Sequence, residues 1–354
     1  MEKRKITFSP PDITDREIAE VVDTLKSGWI TTGPKTKKFE DEIAKYCGTK
    51  KSVCLNSATA AMELALRLFD VGEGDEVITS AYTYSASASV IYHCGAKIVL
   101  ADTKDGKFNV DSKEVEKLIT SRTKAIIPVD IGGFPADYSE ILDLVEKKKN
   151  RFNPKKGTYQ EKLGRILVLA DSAHSFGSSY KGKKIGSIAD ITSFSFHAIK
   201  NLTTAEGGAL TWNLPKNFDN EQIYKELMLL ALHGQNKDAL AKLKAGAWKY
   251  DIVMPGYKCN MTDIMASIGL VQLQRYDNEI LQKKKELVSY YEKYLKDLTD
   301  KIELPIFKDD DKESCRHLYM IRLKNQDEEK RNEVIAKLGE NDIATNVHFQ
   351  PLPL

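Results

Sequence analysis

Two side chains of opposite charge stand where buried strands are expected to end. Lys200 follows the apolar run 191–196, and Asp171 comes directly after the apolar run 167–170. Parallel α/β sheets bind ligands beyond the carboxyl ends of their strands, so the two side chains are expected to converge there. A lysine amine can form a Schiff base with an aldehyde, and a carboxylate can keep a pyridine nitrogen protonated. The pair therefore indicates pyridoxal phosphate as the cofactor.

Each residue also has an ordinary structural interpretation. A lysine after a strand is usually a solvated surface group. An aspartate at a strand end is often the N-cap of the next helix. Taken singly, either residue is more often structural, and the catalytic interpretation depends on finding both together with a phosphate site.

A phosphate site is indicated at residues 56–61, NSATAA, which join a strand to a helix. Ser57, Ala58 and Thr59 would place free backbone N–H groups and the helix dipole at an anion. The alternative is an ordinary Ser N-cap. Gly72 and Gly74 lack a third glycine and do not begin a helix, so a dinucleotide fingerprint is rejected.

Two further side chains are expected at the same sheet edge. Tyr84 follows the strand that ends near residue 79, and an aromatic ring there can stack on a flat cofactor. His174 lies three residues beyond Asp171 and could reach a ring substituent. Ordinary packing of the tyrosine and a structural role for a lone histidine are the alternatives.

Composition favours a small-molecule partner. The 354 residues carry 53 Lys and Arg against 51 Asp and Glu, a net charge of +2, which selects neither nucleic acid nor a membrane surface. The five cysteines form no CxxC pair, which argues against disulfides and a zinc knuckle, and no metal site is expected. No signal peptide or membrane-spanning run is found, so a reducing cytoplasm is the expected location.

Hydrophobic patterning predicts an α/β fold, with a mostly parallel sheet flanked by helices and a smaller C-terminal α+β domain. Strands and helices are expected to alternate from residue 52 to 148, with further strands at 166–170, 191–196 and 209–212. The basic stretch 147–165 is interpreted as a solvated surface insertion. Helices are expected near 219–232 and 262–298, and the small domain is expected to have strands at 302–306, 318–323 and 343–349 with a helix at 328–338.

These motifs, in this order, resemble those of the DegT-type sugar aminotransferases, a family of fold type I pyridoxal-phosphate enzymes. The resemblance covers nearly the whole chain. It is carried by GWITTGP at 28–34, the 72–84 segment, RTKAIIPV at 122–129, DSAHSFG at 171–177, SFSFHAIKNLTTAEGG at 193–208, PGYKCNMTD at 255–263 and VHFQP at 347–351.

The resemblance implies roles for individual residues. Lys200 would bind the cofactor covalently, and Asp171 would contact its pyridinium. Tyr84 would stack on the ring, His174 would approach the ring hydroxyl, and Ala58, Thr59 and Ser195 would hold the phosphate. Asn260 would reach the phosphate of the neighbouring subunit in a homodimer with shared active sites. Substrate contacts are expected from Trp29, Ile30, Thr31, His348, Phe349 and Gln350.

The resemblance implies transfer of an amino group from an amino acid, L-glutamate, to C4 of a keto sugar linked to a nucleotide. Residues 196–208 resemble members that act on 4-keto rather than 3-keto sugars. A sugar dehydratase is one alternative, although relatives that dehydrate have histidine in place of Lys200. A non-catalytic regulator that retains the fold is another, but the Lys200, Asp171 and 57–59 positions are not eroded.

The expected organisation is an N-terminal segment at the active site (1–33), a large cofactor-binding domain (34–260) and a long helix with the small domain (261–354). Two departures from the family pattern stand out besides the basic insertion. Asp130 replaces the histidine that many members carry, which leaves the sugar contact of that loop open. The family usually continues further beyond the motif around His348, so the chain, which stops at Leu354, is expected to be truncated.

Overall fold

A seven-stranded sheet forms the centre of the computed structural model, which describes residues 4–236 and 249–352. The strands, in chain order, are β1 (Ser52–Leu55), β2 (Glu76–Ser80), β3 (Lys97–Ala101), β4 (Thr123–Ile127), β5 (Leu167–Asp171), β6 (Ser179–Tyr180), β7 (Lys183–Lys184), β8 (Ile191–Ser195), β9 (Gly208–Trp212), β10 (Ile302–Glu303), β11 (Lys312–Glu313) and β12 (Arg322–Leu323). The central sheet has the order β1-β9-β8-β5-β4-β2-β3. Strands β3, β2, β4, β5 and β8 are parallel, while β9 runs antiparallel to both of its neighbours. The expected α/β fold with a mostly parallel sheet is confirmed.

Helices cover both faces of this sheet. The α-helices of the described residues, including those of the C-terminal region, are α1 (Asp15–Lys26), α2 (Pro34–Cys47), α3 (Ala58–Leu68), α4 (Ala86–His93), α5 (Ser112–Leu118), α6 (Tyr138–Lys147), α7 (Tyr159–Leu163), α8 (Asn220–Ala231), α9 (Asp263–Arg275), α10 (Leu281–Leu295) and α11 (Glu328–Glu340). Every residue of β2, β4 and β5 is buried, as expected for parallel strands with two covered faces. None of the described helices is both long and apolar enough to cross a membrane.

Alternate residues of the central strands feed two hydrophobic clusters, one on each face. Val168 and Phe194 belong to the first cluster, and Leu167 and Leu169 belong to the second. This alternation follows from the two-residue period of a strand. The sheet is therefore held rigidly from both sides, which fixes the positions of the residues at its carboxyl edge.

The N-terminal segment is tied to α9 and to the edge of the central sheet. Arg275, which is buried, pairs with the buried Glu17 of α1 at 2.6 Å and with Asp12 at 3.1 Å. Further upstream, Ser9 Oγ donates to the carbonyl of Ile199 at 3.1 Å, directly before Lys200. The division of the chain into segments 1–33, 34–260 and 261–354 remains a prediction.

The basic insertion lies at the surface, as expected, but part of it packs against the rest of the chain. Residues 147–165 contain the short helix α7, and Tyr159 packs against Phe69 and Phe218 with ring centroids 5.8 and 5.5 Å apart. Gln160 is buried and its side chain donates to the carbonyl of Phe69 at 2.8 Å. The stretch lacks an apolar period because only a few of its side chains reach the core.

The C-terminal region also differs from the prediction. The long helix expected at 262–298 is divided into α9 and α10 by a π-helical segment, Tyr276–Ile280. The strands expected at 302–306 and 318–323 shorten to β10 and β12, and the helix is α11. The strand expected at 343–349 is wrong: only an isolated bridge joins Ile343 to Ile6, and the segment then turns towards the sheet edge. The expected truncation concerns Leu354, which lies outside the described residues.

Candidate active site

Lys200 and Asp171 meet at the carboxyl edge of the central sheet. Asp171 is the last residue of β5 and lies opposite Ser193 of β8. After β8 the chain forms a tight turn, in which the Lys200 N–H donates to the carbonyl of His197 at 2.9 Å. The turn returns to the sheet through a hydrogen bond from the Thr204 N–H to the Phe196 carbonyl, also 2.9 Å. The loop is thus fixed by its own backbone, and it presents Lys200 towards the charge of Asp171.

Asp171 is only 5% exposed, and two donors hold its carboxylate. Ser87 Oγ donates to Oδ2 at 2.7 Å, and the Ala173 N–H donates to Oδ1 at 3.2 Å. Burial raises the pKa of Asp171, while these two hydrogen bonds and the charge of Lys200 act against that rise. The sequence reasoning missed Ser87, because a serine within a helix carries no local signal that its hydroxyl will meet a strand end.

Burial lowers the pKa of Lys200 to about 8, although the charges of Asp171 and Cys315 oppose this change. Among the described residues, none accepts a hydrogen bond from its Nζ. A lysine with such a pKa has a substantial fraction of neutral amine near neutral pH, which a surface lysine lacks. The amine is therefore suited to covalent bonding and to proton transfer.

The start of α3 forms a cradle beside this pair. Ser57 caps the helix through a hydrogen bond from the Ala60 N–H at 3.0 Å, so the N–H groups of Ala58 and Thr59 begin the helix without intrahelical partners. Ser193 Oγ donates to the Ala58 carbonyl at 3.1 Å, which joins the end of β8, and hence Ser195, to this helix start. The two interpretations of residues 57–59 are therefore compatible, because Ser57 caps the helix while the N–H groups of Ala58 and Thr59 stay free for an anion.

Gly208 makes the close approach of β9 to this cradle possible. A Cβ on Gly208 would lie 2.4 Å from the Ser57 carbonyl carbon and 2.5 Å from the Ala58 nitrogen. Both are backbone atoms, so any larger residue would push the helix start away from the sheet. The free N–H groups at this helix start, held against the sheet by the close approach of Gly208, fit a phosphate group.

His174 is fixed in one tautomer. The Gly132 N–H donates to its Nδ1 at 3.3 Å, so the neutral ring carries its proton on Nε2. Burial, together with the charge of Lys200, lowers the pKa of His174 well below its usual value. A neutral ring with an Nε2 donor can hydrogen-bond an oxygen on a bound cofactor ring.

Tyr84 and the C-terminal segment face the same site. Tyr84 is 64% exposed, and its ring centroid lies 5.9 Å from that of Phe349. Phe349 stacks on His174 at 5.7 Å, and its N–H donates to the Tyr82 hydroxyl at 3.0 Å. The structure thus brings Tyr84, His174, His348 and Phe349 together, and it leaves most of the Tyr84 side chain exposed. Gln350 is exposed beside them.

The remaining predicted residues lie beside β1 rather than in this aromatic group. Asn260 forms a bridge with Leu55, and its amide donates to Thr32 Oγ1 at 2.5 Å. Trp29 donates from Nε1 to the Thr32 carbonyl at 3.2 Å, and the Asp263 N–H donates to the Thr31 carbonyl at 3.1 Å. Ile30 is exposed between them. Among the described residues, no hydrogen bond or ion pair joins the 29–31 segment to Lys200.

Asp130 lies in the interior and has a structural environment. Its Oδ1 accepts from the Ala136 N–H and the Tyr138 hydroxyl, both at 2.8 Å, and its Oδ2 accepts from Ser172 at 2.7 Å and Ser175 at 2.6 Å. Because both oxygens are occupied and the residue is fully buried, this side chain makes no sugar contact. The departure from the family pattern is therefore explained by the packing beneath the site.

Comparisons with known proteins show the family of the chain. The sequence profile of the DegT/DnrJ/EryC1/StrS aminotransferase family matches residues 11–354. The spore coat polysaccharide biosynthesis protein SpsC of Bacillus subtilis (strain 168) is 39% identical over 353 residues, which cover 98% of this chain and 84% of SpsC. The UDP-4-amino-4-deoxy-L-arabinose–oxoglutarate aminotransferase of Shewanella sediminis is 37% identical over 349 residues, which cover 96% of this chain and 82% of that protein.

A solved structure matches in both sequence and fold. Spr1654 of Streptococcus pneumoniae, a proposed sugar aminotransferase, superposes on this chain in its PMP form with a TM-score of 0.94. The two sequences are 53% identical, and the match covers 98% of this chain and 86% of Spr1654. Its PLP form gives the same TM-score at 51% identity, covering 99% of this chain and 86% of that one. PLP and PMP are the pyridoxal and pyridoxamine forms of one cofactor.

Proposed function

The chain belongs to the DegT/DnrJ/EryC1/StrS aminotransferase family, and on this premise we propose that it transfers the amino group of L-glutamate to C4 of a keto sugar linked to a nucleotide. Its cofactor is pyridoxal 5'-phosphate, which this family uses. The observation that carries the proposal is the convergence of Lys200, Asp171 and the α3 cradle at one sheet edge. These groups supply an amine, a carboxylate and an anion site in the arrangement that the cofactor requires.

The names of the relatives support the sugar substrate. SpsC is named for polysaccharide biosynthesis in the spore coat, and the Shewanella protein is named for a UDP-linked sugar with nitrogen at C4 and for oxoglutarate. Oxoglutarate is the keto acid that glutamate becomes when it gives up its amino group. The nucleotide, the C4 position and the glutamate donor are the parts of the proposal that require direct measurement.

Lys200 and Asp171 have separate roles in the proposed reaction. Bound pyridoxal phosphate supplies an aldehyde for bonding to amines and a ring that absorbs electrons. The Lys200 Nζ binds the cofactor and, when displaced by the amino donor, takes and returns the proton of the substrate carbon. Its pKa of about 8 leaves about a tenth of the amine neutral at pH 7, far more than a surface lysine has. Asp171, held by Ser87 and Ala173, keeps a proton on the facing ring nitrogen.

The other residues position the cofactor and the substrates. Ala58, Thr59 and Ser195 would hold the phosphate, Tyr84 would cover one ring face, and the Nε2–H of His174 would donate to the ring hydroxyl. Two segments would contact the substrates. One contains Trp29, Ile30 and Thr31, and the other contains His348, Phe349 and Gln350. These assignments are part of the proposal.

Product analysis tests the reaction directly. Enzyme is incubated with 15N-labelled L-glutamate and a 4-keto-6-deoxy sugar carried on UDP, dTDP or GDP, and the product is examined by NMR. We expect 15N on C4 of one of these sugars and none with the Lys200→Ala variant. Nitrogen on C3, or no transfer from glutamate to any of the three, would overturn the proposed substrate.

We also propose a cytoplasmic homodimer in which Asn260 of one subunit contacts the phosphate bound by the other. Asn260→Ala and Lys200→Ala chains are each expected to have little activity alone. Mixed dimers should recover activity, because one site then combines an intact Lys200 with an intact Asn260 from the other chain. If mixing restores nothing, or if the active enzyme is a monomer, this arrangement is refuted.

A further inference from the structure

A buried histidine adjoins the site, and none of the roles assigned above uses it. His317 is only 5% exposed, and its ring centroid lies 4.6 Å from that of His174. Its Nε2 is buried and has no hydrogen-bond partner. A buried polar atom without a partner costs free energy, so such an atom beside a catalytic group requires an explanation.

The tautomer of His317 follows from its neighbours. The amide nitrogen of Asn201 donates to the carbonyl of Cys315 at 2.8 Å, which orients the amide so that Oδ1 faces His317. His317 Nδ1 lies 3.2 Å from that oxygen. An amide oxygen only accepts, so Nδ1 carries the ring proton and donates it. Nε2 is then an open acceptor.

The complementary donor is the residue that precedes Asn201, the hydrogen-bond partner of His317. Lys200 directly precedes Asn201, and among the described residues no acceptor receives a hydrogen bond from its Nζ. The charge of Lys200 acts on the ring of His317, as do those of His174, Lys284 and His348, while burial is the main cause of the lowered pKa of His317. A neutral imidazole is therefore maintained within the electrostatic reach of a lysine amine for which no acceptor is found among the described residues.

We propose that His317 is a positioning residue whose Nε2 accepts a hydrogen bond from the Lys200 amine whenever that amine is not bonded to the cofactor. The bond directs the lone pair of the amine towards the substrate carbon and limits rotation of the long side chain between proton transfers. Asn201 and the Cys315 carbonyl hold the imidazole in the required tautomer. This proposal rests on the proposed function only in taking Lys200 as the reacting amine.

Two substitutions separate the two ring nitrogens. His317→Asn keeps a donor near the position of Nδ1 and loses the acceptor, whereas His317→Gln can keep an acceptor near the position of Nε2 and loses the donor. Each variant is loaded with pyridoxamine 5'-phosphate, so that Lys200 is free while the cofactor site is filled. The rate of Lys200 acetylation by acetic anhydride is then followed against pH by peptide mass spectrometry.

We expect loss of the acceptor to lower the Lys200 pKa, because the bond favours the ammonium form. A decrease of about one unit exposes about tenfold more neutral amine below the pKa, so His317→Asn should label about tenfold faster at pH 7. His317→Gln should label like the unsubstituted enzyme. Unchanged labelling in the Asn variant, a change in the Gln variant alone, or equal changes in both would overturn the proposal.

A second measurement does not require the variants to be stable. In the 15N-histidine spectrum of the unsubstituted pyridoxamine-phosphate form, His317 should show a protonated Nδ1 and an unprotonated Nε2. A proton on Nε2 would contradict the proposal. Failure of the proposed function is distinguishable, because borohydride labelling of a lysine other than Lys200 would refute that function and leave the two His317 readouts unchanged.

Discussion

Ser87 offers a test of how the protein controls the charge of Asp171. Its hydroxyl is fully buried, donates to Asp171 Oδ2 at 2.7 Å and lies 2.9 Å from Thr83 Oγ1. Ser87→Ala removes one of the two donors to the carboxylate and changes little volume. A hydrogen bond to a charged group is worth about 1.5–3 kcal/mol, which corresponds to roughly 10–100-fold in a rate that depends on it.

The direction of the effect follows from the pKa of Asp171. Burial raises this pKa and the Ser87 hydrogen bond lowers it, so the variant carboxyl should be protonated more readily. A protonated carboxyl cannot hold the proton on the cofactor ring nitrogen. The half-reaction with the amino donor, followed by stopped-flow absorbance, should slow at least about tenfold, and its acid limb should move to higher pH.

A matched control lies on the same helix. Ser89 Oγ donates to the Ser85 carbonyl at 2.9 Å, so Ser89→Ala should leave the half-reaction nearly unchanged. In an Asp171→Asn background, Ser87→Ala should have little further effect, because the charge it supports is already absent. Equal rates for the two serine variants, or an undiminished Ser87 effect in that background, would refute this reasoning.

Two further predictions concern packing and pH. Gly208→Ala should weaken cofactor binding about tenfold or more, because overpacking against the Ser57 backbone costs about 1–3 kcal/mol. Gly339→Ala is the control and should not weaken binding, because there is open space around its Cβ. Equal cofactor affinity of the two variants in fluorescence titrations would contradict this prediction. Glu40 is buried and its pKa is raised to about 7, so its contribution to stability is full below the usual carboxyl pKa and is lost as pH rises through 7. The free energy of unfolding, measured by urea denaturation, should be roughly 3 kcal/mol lower at pH 8 than at pH 5, and Glu40→Gln should lack this difference. The same pH dependence in both proteins would count against the prediction.

The sheet and the residues at its edge could be predicted because their signals are local in the sequence. Each buried strand is an uninterrupted apolar run, and Asp171 and Lys200 stand at the ends of two such runs. Parallel strands bring their carboxyl ends to one edge, so convergence follows from topology without knowledge of side-chain contacts. The cradle at residues 57–59 was found in the same way.

Contacts between distant segments could not be predicted. Ser87 contacts Asp171, and His317 contacts Asn201, which is 116 positions away in the sequence. The sequence around Ser87 and His317 contains no pattern that would indicate these contacts. The segment 343–349 has the composition of a strand, but its backbone pairs with Ile6 at one bridge only. Tertiary pairing, rather than propensity, decides such short segments.

Borohydride reduction of the enzyme with bound pyridoxal phosphate tests the central claim most directly. Reduction fixes the cofactor permanently to the amine that carries it, and peptide mass spectrometry then locates that amine. We predict a single modified peptide with the cofactor on Lys200, and no modification in a folded Lys200→Ala variant. A cofactor attached to any other lysine would contradict the assignment of the site.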